Sequence, residues 1–351
     1  MTPTFGSDRP VYVIGEAGSN FRMGTRARDL KMGRTLIDVA VEAKCDAVKF
    51  QTYRPETVYA PNAGTSDYLT ASGNPEDIHA IFADLAMPYE MVGELAAYAR
   101  ERGIDFMSSP FSVRDAEAVD PYVAVHKIAS YEVNHRRLLE WIGRTGKPVV
   151  ISTGAANLDE IGAALDLLRR SGAGPLCVMQ CTAQYPAGLE ALNLRTIPTL
   201  AQRFSVAVGL SDHSTDPLAG PVGAVALGAR CIEKHYTLSK RLPGPDHSFA
   251  LEPDELSAMV RGIRAMEQAL GSADKGVHAA ERELRTYAVR ALQATRDIRA
   301  GEPLVEGGNF DILRPGKNRP GLNPMRIDEL AGRHATRDIP AGDGIREGDY
   351  R

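Results

Sequence analysis

Two lysines interrupt runs that are otherwise apolar: Lys49 in Ala-Val-Lys-Phe-Gln and Lys127 in Val-His-Lys-Ile-Ala. An ammonium in such surroundings is costly unless an anion faces it. Three anion or carbonyl partners fit: an internal pair with Glu16 or Glu132, a Schiff-base carbonyl, or a small ligand carrying phosphate and carboxylate. The third would also use the hydroxyls of Ser109, Ser130, Ser152 and Ser211, and the surplus of cations and hydroxyls favours it. His213 and His235 close consecutive β-rich runs. One such imidazole is as easily structural, but two at adjacent strand ends favour a shared divalent metal. With two imidazoles and no thiolate, Mn2+ or Mg2+ retaining water or substrate oxygens fits better than zinc. Asp246 in Gly-Pro-Asp-His is a further ligand or sugar contact, or else a turn residue.

These residues need a scaffold that gathers strand ends at one mouth. Short β-rich runs recur at Val11–Gly15, Asp46–Gln51, Ile104–Ser108, Ala124–Ser130, Pro148–Thr153, Leu176–Cys181, Ser205–Ser211 and Arg230–Tyr236. The segments between them have helical spacing. Asn157 to Glu160 reads as a capping box, Ile161, Leu165 and Leu168 share one face, and Gly172 is the stop. Eight such strand-helix units through about residue 270 predict an α/β fold of the parallel (β/α)8 TIM-barrel type. In that fold the active site forms at the C-terminal strand ends, so the polar residues closing each strand are the candidates. They are Glu16; Lys49 and Gln51; Ser108 and Ser109; Lys127, Ser130 and Glu132; Ser152; Thr182 and Tyr185; Ser211, Asp212 and His213; and His235.

The 351 residues carry a formal net charge of −4, with Lys+Arg 41 against Asp+Glu 45. That balance provides no global basic field for nucleic acid or an anionic membrane, so an anion must be held locally. No stretch of eighteen apolar residues occurs and the N-terminus lacks a leader pattern, so a cytoplasmic protein is expected. Cys45, Cys177, Cys181 and Cys231 show no paired spacing and are expected to be free, mostly buried thiols.

The polar stretch Arg54–Met87 after the second strand is expected to be an active-site loop. We expect a catalytic barrel over residues 1–270, a charged linker over 271–285 and a small, loop-rich, mainly β module over 286–351. In that module, Thr295-Arg-Asp-Ile-Arg-Ala-Gly301 and Thr336-Arg-Asp-Ile-Pro-Ala-Gly342 nearly repeat, which suggests internal pseudo-symmetry.

Ten phrases then stand in order: Gly15-Glu-Ala-Gly-Ser-Asn20, Val48-Lys-Phe-Gln-Thr52, Ser109-Pro-Phe-Ser112, Lys127-Ile-Ala-Ser-Tyr-Glu132, Ile151-Ser-Thr-Gly154, Cys181-Thr-Ala-Gln-Tyr-Pro186, Gly209-Leu-Ser-Asp-His213, Glu233-Lys-His235, Gly244-Pro-Asp-His247 and Arg314-Pro-Gly316. With them the chain resembles, over nearly its whole length, the sialic acid (N-acylneuraminate) synthase family with its C-terminal antifreeze-like (SAF) domain. The resemblance implies a phosphoenolpyruvate-dependent transferase of carbohydrate biosynthesis that adds phosphoenolpyruvate to an N-acylated hexosamine aldehyde. N-acetylneuraminate is the expected product and N,N'-diacetyllegionaminate the alternative. It assigns Lys49, Ser109, Lys127, Ser130, Ser152 and Ser211 to phosphoenolpyruvate and His213 and His235 to a divalent metal acting as a Lewis acid on the aldehyde oxygen. Glu16, Glu132, Gln51, Tyr185 and Asp246 would surround the sugar and the reacting carbons, with Glu16 or Glu132 activating water. It also implies a homodimer in which the small domain covers the partner's barrel mouth and Arg314 reaches the N-acyl group.

Two positions depart from the family pattern. Phe21 stands where a His is usual, which would add an apolar surface beside the mouth and suit a deoxygenated or acylated sugar. Ala183 stands where many members place an Asn that holds phosphate. A metal-dependent aldolase or a related phosphoenolpyruvate synthase is the rival enzyme, against which the SAF module argues. A noncatalytic carbohydrate-binding protein is the rival of another class, against which the Lys, His and Glu set argues.

Overall fold

The computed structural model describes residues 5–6, 9–65 and 77–351. It divides into two compact units, Met1–Gly271 and Ser272–Arg351. The first contains β1 (Tyr12–Gly18), β2 (Ala47–Thr52), β3 (Asp105–Pro110), β4 (His126–Ile128), β5 (Val149–Ser152), β6 (Leu176–Cys181), β7 (Ala207–Asp212) and β8 (Cys231–His235). All eight pair in parallel in the order β3-β2-β1-β8-β7-β6-β5-β4, and β3 lies beside β4 to close the ring. This is the expected TIM-like barrel. β4 is shorter than the run Ala124–Ser130, because Ser130–Glu132 turns into a 3-10 helix.

The helices between strands form as their sequences dictate. In the helix Leu158–Ser171, Ile161, Ala164, Leu165 and Leu168 are buried, Asn157 and Glu160 complete a capping box, and Gly172 ends it with φ 100°. Such apolar faces pack on the strands' outer sides, and each large buried aliphatic side chain there contributes about 1.5–3 kcal/mol. Inside the ring a separate apolar cluster, with Ile14, Ala47, Val150, Cys177 and Cys231, fills the barrel below its mouth. The four cysteines are free and buried, as expected.

Residues 66–76 of the expected loop Arg54–Met87 lie outside the described residues. The rest includes two short helices, Pro55–Val58 and Ile78–Leu85, with Tyr59 and Phe82 ring to ring at 4.9 Å. No helix among the described residues is long and apolar enough to cross a membrane.

In the second unit a short helix, Arg282–Ala288, begins inside the expected linker stretch 271–285. β9 (Ala291–Ala294) and β10 (Phe310–Leu313) pair antiparallel over a core containing Leu292, Ile298, Phe310, Ile339 and Ile345. The two near-repeats exchange matching bonds. Ile298 and Ile339 bond each other's backbone in both directions at 2.9 Å. Asp297 accepts from the Ala341 amide and Asp338 from the Ala300 amide, each at 2.8 Å. Gly301 donates to the Ala335 carbonyl at 2.7 Å and Gly342 to the Ala294 carbonyl at 2.8 Å. Equal residues in equal roles give the module the internal pseudo-symmetry its sequence suggests.

Candidate active site

Side chains alternate along a strand, so every second residue of each barrel strand enters the ring. Above the apolar layer come Glu16, Lys49, Lys127 and Glu233, then Gln51, Ser109, Ser152, Cys181, Ser211 and His235 nearer the mouth. In the β1–β2 and β1–β8 registers, Glu16 stands beside both Lys49 and His235.

The lysines find different partners. Lys49 Nζ lies 2.8 Å from Glu16 Oε2 and 3.7 Å from Glu233 Oε2, and donates to Ser109 Oγ at 3.0 Å. Lys127 Nζ donates to Ser152 Oγ at 2.8 Å and stands 3.6 Å from Glu233 Oε1. The internal pair that the sequence leaves as the less favoured alternative is therefore present for Lys49, with Glu16, whereas Lys127 pairs with neither Glu16 nor Glu132 and faces Glu233 of β8 instead. Ser211 Oγ donates to Glu233 Oε1 at 3.1 Å. Glu233, which stands in the phrase Glu233-Lys-His235, has no role in the reading from sequence alone. The signal was its spacing of two from His235, which puts both side chains on the inner face of one strand.

Ser130 Oγ accepts from the Gly154 amide at 2.9 Å and donates toward Cys181 Sγ at 3.4 Å. A Cβ on Gly154 would come within 3.1 Å of both Ser130 Oγ and Ala183 Cβ, so Ala183 presents a methyl group beside Ser130 where an Asn would present an amide. Gln51 Nε2 donates to Glu16 Oε1 at 3.0 Å. Gly18, with φ +53°, keeps space open beside them: a Cβ there would come within 3.1 Å of Asp246 Oδ2 and 3.4 Å of Gln51 Nε2 and Glu16 Oε1. Glu132 is buried in the turn after β4 and has no ion-pair partner among the described residues.

His213 and His235 come together, with ring centroids 5.4 Å apart. Tyr185 lies over His213 at 4.1 Å, and Phe249 flanks His235 at 5.2 Å. His213 Nδ1 is 2.8 Å from the Thr182 carbonyl, an acceptor only, so Nδ1 carries a proton and, in the neutral ring, Nε2 carries the lone pair. His235 Nδ1 is buried without a hydrogen-bond partner, 3.6 Å from Asp246 Oδ2. Among the described residues no group of three or more His, Cys, Asp or Glu is arranged to hold a metal.

Electrostatics follow from burial. Burial pushes Glu16 up to about 7, against the attraction of Lys49. Burial, reinforced by Asp115, pushes Glu132 up to about 7 as well. Lys127 is pulled below its ordinary value by burial in spite of Glu233. Burial alone would lower Lys49, but Glu16 and Glu233 raise it.

One residue singled out in the sequence stands away from the mouth. Phe21 is fully buried and meets Phe50 edge to face at 6.2 Å within the core, so the apolar surface expected beside the mouth is absent. The chain turns inward after Asn20, whose amide is bound to the Tyr236 carbonyl at 2.9 Å. Arg314 is exposed on the second unit, and its guanidinium forms no ion pair among the described residues.

Comparison with known proteins reproduces this division. A model of the NeuB family matches residues 36–275 and a model of the SAF domain matches residues 289–351. The chain is 40% identical to the spore coat polysaccharide biosynthesis protein SpsE of Bacillus subtilis, over 97% of this chain and 94% of that one. It is 35% identical to the pseudaminic acid synthase of Campylobacter jejuni, over 99% and 98% of the two chains. The crystal structure of the N-acetylneuraminic acid (sialic acid) synthetase of Leptospira borgpetersenii, in complex with citrate, matches with a TM-score of 0.70 at 30% identity, over 80% of this chain and 91% of that one.

Proposed function

The chain belongs to the NeuB family, and from that premise we propose that it is a nonulosonic acid synthase. It joins phosphoenolpyruvate, an N-acylated hexosamine and water, and releases phosphate. The observation carrying this reading is the pair of buried ammoniums, Lys49 and Lys127, each bound to a serine hydroxyl inside one barrel mouth. A small, multiply charged anion is the ligand such a pair suits, because charge-assisted bonds there are little screened.

In this reading Lys49 and Lys127 bind the phosphate and carboxylate of phosphoenolpyruvate, with Ser109, Ser130, Ser152 and Ser211 completing the cradle. Gln51, Tyr185, Asp246 and Glu132 orient the open-chain sugar so that its aldehyde carbon meets C3 of the enol phosphate. A C–C bond forms there, the aldehyde oxygen takes a proton, and C2 becomes cationic. Water then bonds to C2 as its first proton goes to a base. When the C2–O bond to phosphate breaks, C2 becomes a ketone and the second proton of the added water leaves with the phosphate. Glu16 is suited to take the first proton at Oε1 or Oε2: it sits beside Lys49 in the anion cradle and its proton affinity is matched to neutral pH.

His213 and His235 are suited to a divalent metal, since a neutral His213 ring keeps its lone pair on Nε2 and the buried Nδ1 of His235 has no hydrogen-bond partner. Mn2+ or Mg2+, held by these two imidazoles and completing its shell with water or substrate oxygens, would supply Lewis-acid polarisation of the aldehyde oxygen when bound.

N-acetylmannosamine, giving N-acetylneuraminate, is the first sugar to test. A second reading, a diacetamido-trideoxyhexose as in legionaminate-type synthesis, is favoured by 33% identity, over 97% of this chain, to the N,N'-diacetyllegionaminic acid synthase of Campylobacter jejuni. The test is phosphate release from phosphoenolpyruvate with Mn2+ and a panel of both sugar types, with product masses read in parallel. Phosphate release with one sugar type identifies the substrate. Release no faster than without sugar, across the panel, refutes the reading.

A further inference from the structure

Beside the anion cradle runs a second set of buried charges that faces outward. Asp212 and Lys234 are register partners on β7 and β8, and each is one residue from a histidine of the pair. Because alternation turns Ser211, Glu233 and His235 inward, it turns Asp212 and Lys234 to the outer side of the ring. There they are nearly inaccessible, with side-chain exposures of 0% and 1%.

Lys234 Nζ lies 2.6 Å from Asp212 Oδ2 and donates to the Ser214 carbonyl at 2.5 Å and to Ser214 Oγ at 3.1 Å. Asp212 closes the ring, accepting from the Ser214 amide at 2.8 Å through Oδ1 and from Ser214 Oγ at 3.1 Å through Oδ2. The residues on both sides of His213 are thus bound to one ammonium, and that ammonium belongs to the neighbour of His235. We propose that Asp212 and Lys234 are positioning residues which fix the spacing and aim of His213 and His235 for the metal.

This inference rests on the metal reading above and makes a separate demand on the molecule. A buried ion pair is weak grounds for stability, since an uncharged pair of similar volume often replaces it at little cost. Its geometric consequence is specific: the β7–β8 pairing already sets Asp212 beside Lys234, and the ammonium adds the side-chain link that carries on past His213 to Ser214. Groups that hydrogen-bond a metal's ligands directly are worth about 10–100-fold in metal affinity, and a pair acting from the adjacent residues is expected at the low end of that range.

The experiment compares wild type, Lys234→Met, the double variant Asp212→Asn/Lys234→Met and His213→Ala. Lys234→Met strands a buried carboxylate and is expected to lower the melting temperature. The double variant has no unpaired charge and is expected to melt close to wild type. Each protein is titrated with Mn2+ alone, following free Mn2+ by electron paramagnetic resonance, and with phosphoenolpyruvate by calorimetry in metal-free buffer. The double variant should bind phosphoenolpyruvate like wild type and Mn2+ about tenfold or more weakly. A folded double variant with wild-type Mn2+ affinity overturns the positioning role alone. Wild type that binds no Mn2+, or His213→Ala that binds it undiminished, overturns the metal reading and the positioning role with it.

Discussion

The ammonium of Lys127 stands 3.6 Å from Glu233 Oε1, a separation that leaves a buried cation only partly neutralised. Lys49, at 2.8 Å from Glu16, is held more closely. A ligand phosphate therefore has most to offer at Lys127. Lys127→Ala should weaken phosphoenolpyruvate binding by about 10–100-fold, the worth of a hydrogen bond to a charged group, whereas Lys31→Ala, at an exposed position of the helix Arg26–Glu42, should change nothing. Calorimetry decides it: equal affinities for the two variants would make Lys127 an internal ion-pair partner only.

A second prediction concerns metal removal. Two imidazoles are too few to polarise an aldehyde without an ion, so exhaustive chelation should abolish phosphate release, and added Mn2+ should restore it. Full turnover by the chelated enzyme would rule out the role given to His213 and His235.

The third concerns pH. Burial holds Glu132 at about 7 in the folded chain, above its ordinary value of 4.5. Its folded pKa is raised, so the folded state binds the extra proton between these values. The stability due to that proton is complete below about pH 4.5 and is lost as pH rises through 7. The loss has an upper bound of about 3 kcal/mol at 1.36 kcal/mol per pH unit. Glu132→Gln has no such proton to lose, so denaturant unfolding should show the variant gaining on wild type from pH 5 to pH 8. A stability difference that stays constant over this range would mean that Glu132 titrates normally.

What the chain discloses by itself depends on the range of the interaction. The barrel is legible because each strand is a local β-rich run and each helix carries its own face and cap, as in Asn157 to Gly172. The two lysines are legible because a charge inside an apolar run is anomalous without any neighbour in view. Glu233 is not, since its meaning comes from Lys49 and Lys127, far away in sequence and joined to it only by barrel closure. The Asp212–Lys234 pair likewise needs the β7–β8 register, and the inward turn of Phe21 needs Phe50 on the next strand. Short-range pattern names the strand ends; only the ring decides which of them meet.

The last prediction concerns Arg314. It lies exposed on a Pro-Gly turn of the second unit, where Gly316, with φ +57°, bonds the Tyr287 carbonyl at 3.1 Å, and its guanidinium has no ion pair among the described residues. An exposed planar donor on a constrained turn is suited to reach an amide oxygen, which lysine would serve poorly. The family resemblance implies that the amide is the sugar's and that the arginine comes from a partner chain, and on that proposal the active unit is a homodimer. Lys127→Ala and Arg314→Ala proteins should each be nearly inactive alone. Mixing them should restore activity toward one site per mixed dimer, because one barrel then combines its own Lys127 with an Arg314 from the other chain. If Arg314 instead serves its own barrel, every site in the mixture lacks one of the two residues. Absence of recovery, with subunit exchange verified by mass labelling, would therefore exclude action in trans.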